Sequence, residues 1–372
     1  MAIYIVNIFI ILLAALLKTK NYIFLSRKRI SGNEIAMLFI FVSFSLIMGS
    51  RSYNVGVDTS PYTRIYTIIA NSGSYFDAIN NAPLTAPIYV LLCWLVSRVS
   101  SDPQLWIFVS AIALNFALIR FIKKTSSDAS TSAFVWIGLT LFYCSMNGNR
   151  QCISLTIALN AIYYLTQDLK NKKGWILFVI SVGIHTTAIF FGLAILGIKL
   201  ADKIQDSKIL FFISTIFSAV LAIGYSSGVK LFLHFFPRYS LYTSGESKYS
   251  IFVGNGGGRI VLLYIFLFCI VILWVSKVTK KGTDKDSFNQ HMLPAVIFGS
   301  VFGIINCRNE LINRMLWYYL ALYISFVPSV ILKFRKEKML IRWGIIAVLV
   351  AYSFISVLEN QNGVMPYSFF WS

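Results

Sequence analysis

The sequence predicts an all-α fold, a polytopic transmembrane helical bundle of about 11–12 crossings, forming a single integral membrane domain over residues 1–372. Three observations predict it. The chain is 57% hydrophobic and only 13% charged, where a soluble domain carries about 25% charged and about 45–50% apolar residues. Its apolar residues recur in blocks close to the length a membrane helix needs, roughly 17–25 residues. Its cations fall in the short connections between those blocks, where membrane topology places them. Mean hydropathy is +0.72, so lipid must be the solvent for most of the chain.

The blocks run 2–17, 34–50, 84–99, 105–122, 130–146, 151–166, 175–198, 209–225, 259–276, 291–306, 311–332 and 340–358. The first, Ala2 to Leu17, lacks a basic leading region and is followed by Lys18 and Lys20, so it is expected to remain as a helix. Two long non-membrane stretches, 51–83 and 226–258, carry turn-forming residues such as Asn80-Asn81 and Gly254-Asn255-Gly256-Gly257-Gly258. Six connections are basic, at 18–29, 120–124, 170–173, 199–208, 277–285 and 333–338, and simple alternation through all twelve blocks would put the second and third of them on the outer side. Two adjustments remove that conflict. Segment 84–99 follows Pro83 and contains Pro87, and is expected to be a re-entrant or surface helix. Segment 175–198 carries His185 in its middle and is expected to be two short helices meeting there. From Lys173 to His185 is about 18 Å of helix, which places His185 below the outer surface in a protein-lined cavity. All six basic loops then face the cytoplasm, and both long loops face out.

With that topology, 23 of the 33 basic residues lie inside and 18 of those are Lys. The outer set is Arg51, Arg64, Arg98, Arg150, Lys230, Arg238, Lys248, Arg259, Arg308 and Arg314. Topogenic charge is indifferent to which cation supplies it, whereas bidentate phosphate recognition favours the guanidinium fork. The outer side is therefore expected to hold a phosphorylated or carboxylated anion. The net charge of +19 does not point to nucleic acid, because no soluble basic face of any size exists. No Walker A loop, GxGxxG, HExxH or DxD pair occurs, which argues against a nucleotide-driven pump or a metal-dependent sugar-nucleotide transferase. Cys93, Cys144, Cys152, Cys269 and Cys307 show no metal or disulfide spacing. The expectation is no metal and no cofactor.

Five constellations could carry chemistry. Met146-Asn147-Gly148-Asn149-Arg150-Gln151 sets an arginine flush against membrane helices, a costly and usually functional placement, although it also fits an arginine reaching lipid headgroups. Arg51 through Tyr62 offers a guanidinium, a Gly56 hinge, Asp58 and aromatic rings, suited to sugar faces or to an interfacial belt. Gly183-Ile184-His185-Thr186-Thr187 holds an imidazole that can exchange a proton or simply pack. Phe235-Phe236-Pro237-Arg238-Tyr239 puts another arginine among aromatics. Asn306-Cys307-Arg308-Asn309-Glu310 and Asn313-Arg314-Met315 join two late helices, with Glu310 and Arg314 one turn apart, as in a site or an ion pair.

At these residues the chain resembles the EpsG-like branch of the O-antigen and exopolysaccharide repeat-unit polymerases (Wzy). The resemblance rests on four stretches in order. They are Arg-x-x-x-Val-Gly-x-Asp-Thr-x-x-Tyr at 51–62, Asn-Arg-Gln at 149–151, Ile-His-Thr-Thr-Ala at 184–188, and Asn-Arg-Met at 313–315 with Trp317-Tyr318-Tyr319. His185 is followed by Thr-Thr where Ser-Ala or Pro-Ser is expected of the family. The resemblance implies a GT-C-type glycosyltransferase in the bacterial inner membrane, working at the periplasmic face on polyprenyl-diphosphate-linked oligosaccharide donors and acceptors without metal. The resemblance also implies a chain-length regulator as a further partner. The expected roles are His185, Asp58 and Glu310 as general base or base-orienting groups; Arg51, Arg150, Arg238 and Arg314 as diphosphate holders; and Tyr62, Asn149, Gln151, Tyr239 and Arg308 as substrate contacts. The rival readings are an O-antigen ligase of similar architecture and a flippase for the lipid-linked unit. Repeat symmetry would mark the flippase, and none is seen.

Overall fold

The computed structural model describes residues 1–17, 21–23, 29–235, 258–277, 284–307, 310–334 and 336–372. These are overwhelmingly helical, and the two short strands among them, Asn21–Ile23 and Arg29–Ser31, pair antiparallel. The chain is a multi-pass membrane protein. Six described helices are long and apolar enough to cross a bilayer, and up to eight spans result if each of two bent pairs counts as one. Large apolar side chains that a soluble protein would bury stand exposed along them, among them Phe212, Phe217, Val220 and Ile223 on Ser207–Phe235. Lipid satisfies those side chains, and the helices satisfy their own backbone.

The helices gather into two compact units, Met1–Ile189 with Lys336–Ser372, and Phe190–Arg335. In the first unit, Gly32–Gly49 starts at a capping box in which Ser31 and Glu34 exchange hydrogen bonds with each other's backbone N–H. Pro103–Thr125 and Asn149–Gln167 run side by side in the same direction, Asn160 donating to the Ala117 carbonyl and Tyr164 meeting Arg120, and Lys172–Ile184 returns antiparallel along the latter. Small residues permit their close approach. A Cβ on Gly174 would come within 2.8 Å of Leu165, and one on Gly138 within 2.5 Å of Leu349 in Lys338–Leu358. The second unit contains Gly192–Lys203, Ser207–Phe235, Gly258–Lys277, Asp284–Asn306, Glu310–Leu320 and Tyr323–Leu332, the last two bent by 43° at their junction.

Several blocks are not single straight spans, each for a local reason. Segment 84–99 becomes Pro87–Ser97, 11 residues long, about 16 Å of helix and too short to cross. Segment 130–146 divides into Ala129–Gly138 and Leu141–Asn147, bent by 61° where Thr140 takes a left-handed φ of 61°. Segment 175–198 breaks at His185, whose extended backbone (φ −149°) ends one helix before the 3-10 turn Thr186–Phe191.

The stretch 51–83, expected to be loop, instead holds the helices Thr59–Ala70 and Tyr75–Asn81. Burial of Tyr66 and Ile69 on one face anchors the first, and a Ser74–Asp77 capping box starts the second. The Asn80-Asn81 pair marks that helix's end rather than a loop. The other long stretch, 226–258, begins as a continuation of Ser207–Phe235, and residues 236–257 lie outside the described set.

The first unit has two chemically distinct ends. At one, Lys123 pairs with Glu34 at 3.0 Å and Arg342 with Asp128 at 3.6 Å, near the cations Arg120, Lys124 and Lys173. At the other, the 51–58 loop, the 147–149 junction, His185 and the segment after Leu358 come together.

Candidate functional site

The site is built on a clamp between two sequence motifs. Gly56 takes a φ of +93°, a conformation that favours glycine, and a Cβ there would lie 2.5 Å from the Met146 carbonyl oxygen. That close approach lets Thr59 Oγ1 donate to the Val55 carbonyl at 2.7 Å and sit 3.1 Å from the Met146 carbonyl. The Asp58 N–H donates to Asn147 Oδ1 at 2.8 Å. The loop that carries Asp58 is thus held on the junction that starts the Arg150 helix. Gly56→Ala should cost roughly 1–2 kcal/mol for the left-handed backbone alone, more with the Met146 clash. It should lower the unfolding midpoint of the detergent-solubilised protein, while Gly73→Ala, whose Cβ would meet only Asp77 Oδ2 at 3.6 Å, should not. Equal midpoints for the two variants would remove the clamp from the argument.

Arg150 lies in the first turn of Asn149–Gln167 and is half-buried. Its guanidinium carbon sits 5.0 Å from the Tyr62 ring centroid and 5.4 Å from that of Tyr89, and its Nε has no hydrogen-bond partner. Two aromatic faces fix the planar group by cation–π attraction without consuming its donors. Tyr89 is itself fixed, accepting a 2.9 Å hydrogen bond from Trp106 Nε1. One turn after Arg150, Ser154 donates to the Ser181 carbonyl at 2.8 Å, and the His185 N–H donates to the same carbonyl at 3.0 Å. Gly183 packs against Ile88, the residue before Tyr89, where a Cβ would come within 2.4 Å. These contacts draw Arg150, Tyr62, Tyr89, Asp58 and His185 into one neighbourhood. The His185 Nδ1 is 2.7 Å from Thr187 Oγ1, which orients the ring.

A segment that sequence reasoning passed over holds the clamp from behind. Residues after Leu358 fold back so that Gly56 N–H donates to the Gly363 carbonyl (2.8 Å) and Ser52 N–H to the Ser368 carbonyl (3.0 Å), while Phe370 N–H donates to the Ser50 carbonyl (3.0 Å). Arg51 bridges to Phe369 in this short pairing, and Tyr367 Oη donates to the Ile47 carbonyl at 2.7 Å. No charge or motif flags these residues. Their tie to the loop is made by backbone groups 300 positions away in the chain.

Several of the expected site residues lie buried rather than on an open surface. Arg51, expected to grip an anion, is 1% exposed and donates to the Met48 carbonyl at the end of its own helix. Burial pushes its guanidinium down to about 10, and Tyr4, Tyr89 and Tyr367 lie close enough to offset part of that. It holds the helix end and the returning segment together, and no face of it is open to a diphosphate. Asn149 and Gln151, expected to touch substrate, are 3% and 4% exposed, and Asn149 Nδ2 points to the Ser145 carbonyl at 3.5 Å. Helix geometry turns them inward while Arg150 between them faces the aromatic pair. Tyr89 and Trp106, not singled out from the sequence, and Asn147, which stood in the Met146–Gln151 stretch without a role of its own, do the positioning.

In the second unit, Arg314 is half-buried with its guanidinium 5.9 Å from the Trp317 ring, and Asn313 Oδ1 accepts from Tyr264 Oη at 2.9 Å. Glu310 opens that helix, but its side chain lies outside the described residues, as do Arg238, Tyr239 and Arg308. Among the described residues, no group of three or more His, Cys, Asp or Glu could hold a metal ion.

No curated protein and no solved structure matches the chain. A sequence profile of the EpsG family matches residues 34–369, from the second helix through the clamp, the Arg150 junction and His185 to the segment that returns over Arg51. With nearly the whole chain covered, the protein belongs to the EpsG family.

Proposed function

We propose that this protein is a polysaccharide repeat-unit polymerase, a glycosyltransferase that moves a growing polyprenyl-diphosphate-linked glycan onto the next lipid-linked unit at the periplasmic face of the inner membrane. The observation that carries the reading is the Arg150 guanidinium held by the Tyr62 and Tyr89 rings, on a helix whose Ser154, one turn on, shares the Ser181 carbonyl with the His185 N–H. In the reaction, an acceptor hydroxyl oxygen attacks the anomeric carbon and the bond to the diphosphate oxygen breaks. The diphosphate departs with the electron pair, and the hydroxyl proton passes to a base. Arg150 stabilises the charge that develops on the departing diphosphate, the larger of the two contributions. His185 takes the proton, oriented by Thr187, with Asp58 the other titratable candidate close by. Tyr62 offers a ring face to sugar as well as to Arg150. Arg314, paired with Trp317, is proposed as a further anion holder. Arg238, Tyr239, Arg308 and Glu310 keep the roles their sequence context suggests.

The decisive experiment incubates the purified protein with lipid-linked repeat unit. A ladder of chain lengths is expected. Transfer only to an added core lipid would make the protein a ligase, and movement of the unit across a vesicle without transfer would make it a flippase. Sidedness is checked separately. A membrane-impermeant thiol reagent added outside should modify Asn54→Cys in the clamp loop and spare Lys172→Cys, both exposed positions at opposite ends of the first unit. The reverse pattern would put the proposed site on the cytoplasmic face.

A further inference from the structure

Arg150 and Tyr164 stand on the same helix, fourteen residues apart, which is about 21 Å along its axis. The far end therefore has no part in the site described above, and it carries its own unexplained concentration of charge. Arg120 Nη2 donates to Tyr164 Oη at 2.9 Å, and Lys124 Nζ donates to the same oxygen at 2.7 Å. Lys124 also lies 3.9 Å from the Tyr164 ring centroid and 4.4 Å from that of Tyr163, and Lys173 lies 5.3 Å from the Tyr164 ring. Three cations from two helices thus surround one phenol on a third. Like charges this close repel, and a phenol hydroxyl cancels none of that charge. The nearby carboxylates are engaged elsewhere: Glu34 pairs with Lys123, Asp128 with Arg342, and Asp168 Oδ1 accepts the Lys170 N–H. Lys173 adds a further imbalance, because it sits in the first turn of Lys172–Ile184, where the helix dipole favours an anion over a cation.

The surface beside the cluster indicates what kind of anion completes it. Trp175, Ile176 and Val179 stand exposed on the same helix as Lys173, and Trp175 Nε1 donates to the Leu169 carbonyl at 2.8 Å. An indole anchored at a helix end with apolar side chains running away from it marks a headgroup level with acyl chains below. We propose that Arg120, Lys124 and Lys173, gathered around Tyr164, form a binding site for the phosphate of an anionic phospholipid. The Arg120 fork and two ammonium groups supply the donors, the two tyrosine rings hold Lys124 in place, and the Trp175–Val179 face receives the acyl chain. This site is independent of the proposed polymerase reaction and stands if that reading fails.

The test measures lipid retention by native mass spectrometry of the detergent-purified full chain. Phosphatidylglycerol, phosphatidylcholine and inorganic phosphate serve as probes. The wild-type protein should retain phosphatidylglycerol in preference to phosphatidylcholine. The variant Arg120→Gln/Lys124→Gln/Lys173→Gln should bind it about 10-fold more weakly or worse, each cation near a headgroup contributing a sizeable share. A control of equal charge change at another basic stretch, Lys199→Gln/Lys203→Gln/Lys208→Gln, should retain it. The single variants Lys124→Gln and Lys173→Gln should each weaken binding, which keeps the test open if the triple variant fails to fold. The site is refuted by unchanged retention in the variants or by equal loss in the control. Displacement of the lipid by inorganic phosphate at millimolar concentration would refute the lipid as its occupant.

Discussion

His185→Ala is expected to leave a folded, inserted protein that still binds lipid-linked donor but elongates it about 100-fold more slowly or worse, the range that general acid–base groups contribute. The structure supplies the reasons to expect survival of the fold. His185 is half-buried at a helix end, its backbone bond to the Ser181 carbonyl does not depend on the side chain, and its ring makes a 2.7 Å contact with Thr187 next door in the chain. Removing the imidazole therefore leaves no large core cavity. In the tautomer whose Nδ1–H donates to Thr187 Oγ1, Nε2 is the basic nitrogen, able to take the acceptor's proton. His185→Gln separates the roles, because an amide can donate and accept but cannot become a cation. Slow turnover in both variants, with donor binding kept, supports proton transfer. Recovery in the Gln variant would reduce the imidazole to an orienting group, and near-normal turnover in the Ala variant would leave it as packing.

Arg150→Lys should lower turnover by about 10-fold or more, equivalent to at least ~1.4 kcal/mol of transition-state stabilisation. The substitution keeps the charge and most of the length. It removes the planar fork that two tyrosine faces hold in position and replaces it with a flexible point charge. In the structure both rings lie within 5.4 Å of the guanidinium carbon, so the loss falls on geometry more than on charge. The prediction therefore has a companion. Tyr89→Leu, which removes one of those faces and the acceptor for Trp106 Nε1, should weaken turnover in the same direction with Arg150 intact. Full activity in Arg150→Lys at unchanged expression would make Arg150 a lipid anchor, and the proposal would lose the observation on which it rests.

Much of the proposed site was legible before any coordinates. Arg150 stood out because a guanidinium beside membrane helices is costly, and His185 because loop charges required an extra break in the segment that carries it. The helix does end at His185, and the 84–99 segment is a short helix. Arg51 looked the same as Arg150 in sequence, an arginine at the end of an apolar run, yet it is buried beneath a segment more than 300 residues later. Nothing local separates the two. Stretch 51–83 was similarly misleading, since its two helices are stabilised by one buried face and a capping box rather than by a long apolar run.

Composition, block length and the placement of Lys and Arg by themselves determine that this chain is a helical membrane protein. These are properties of transfer between water and lipid, which act on each segment separately and leave their mark in linear order. Which arginine is open, which asparagine faces inward and which glycine must lack a side chain were decided by tertiary structure alone. Gly56 is the clearest case, because its requirement comes from the Met146 carbonyl, ninety positions on. The contacts that set it are backbone hydrogen bonds and close approaches between distant segments. They depend on shape rather than hydropathy, and so have no signature in the order of residues.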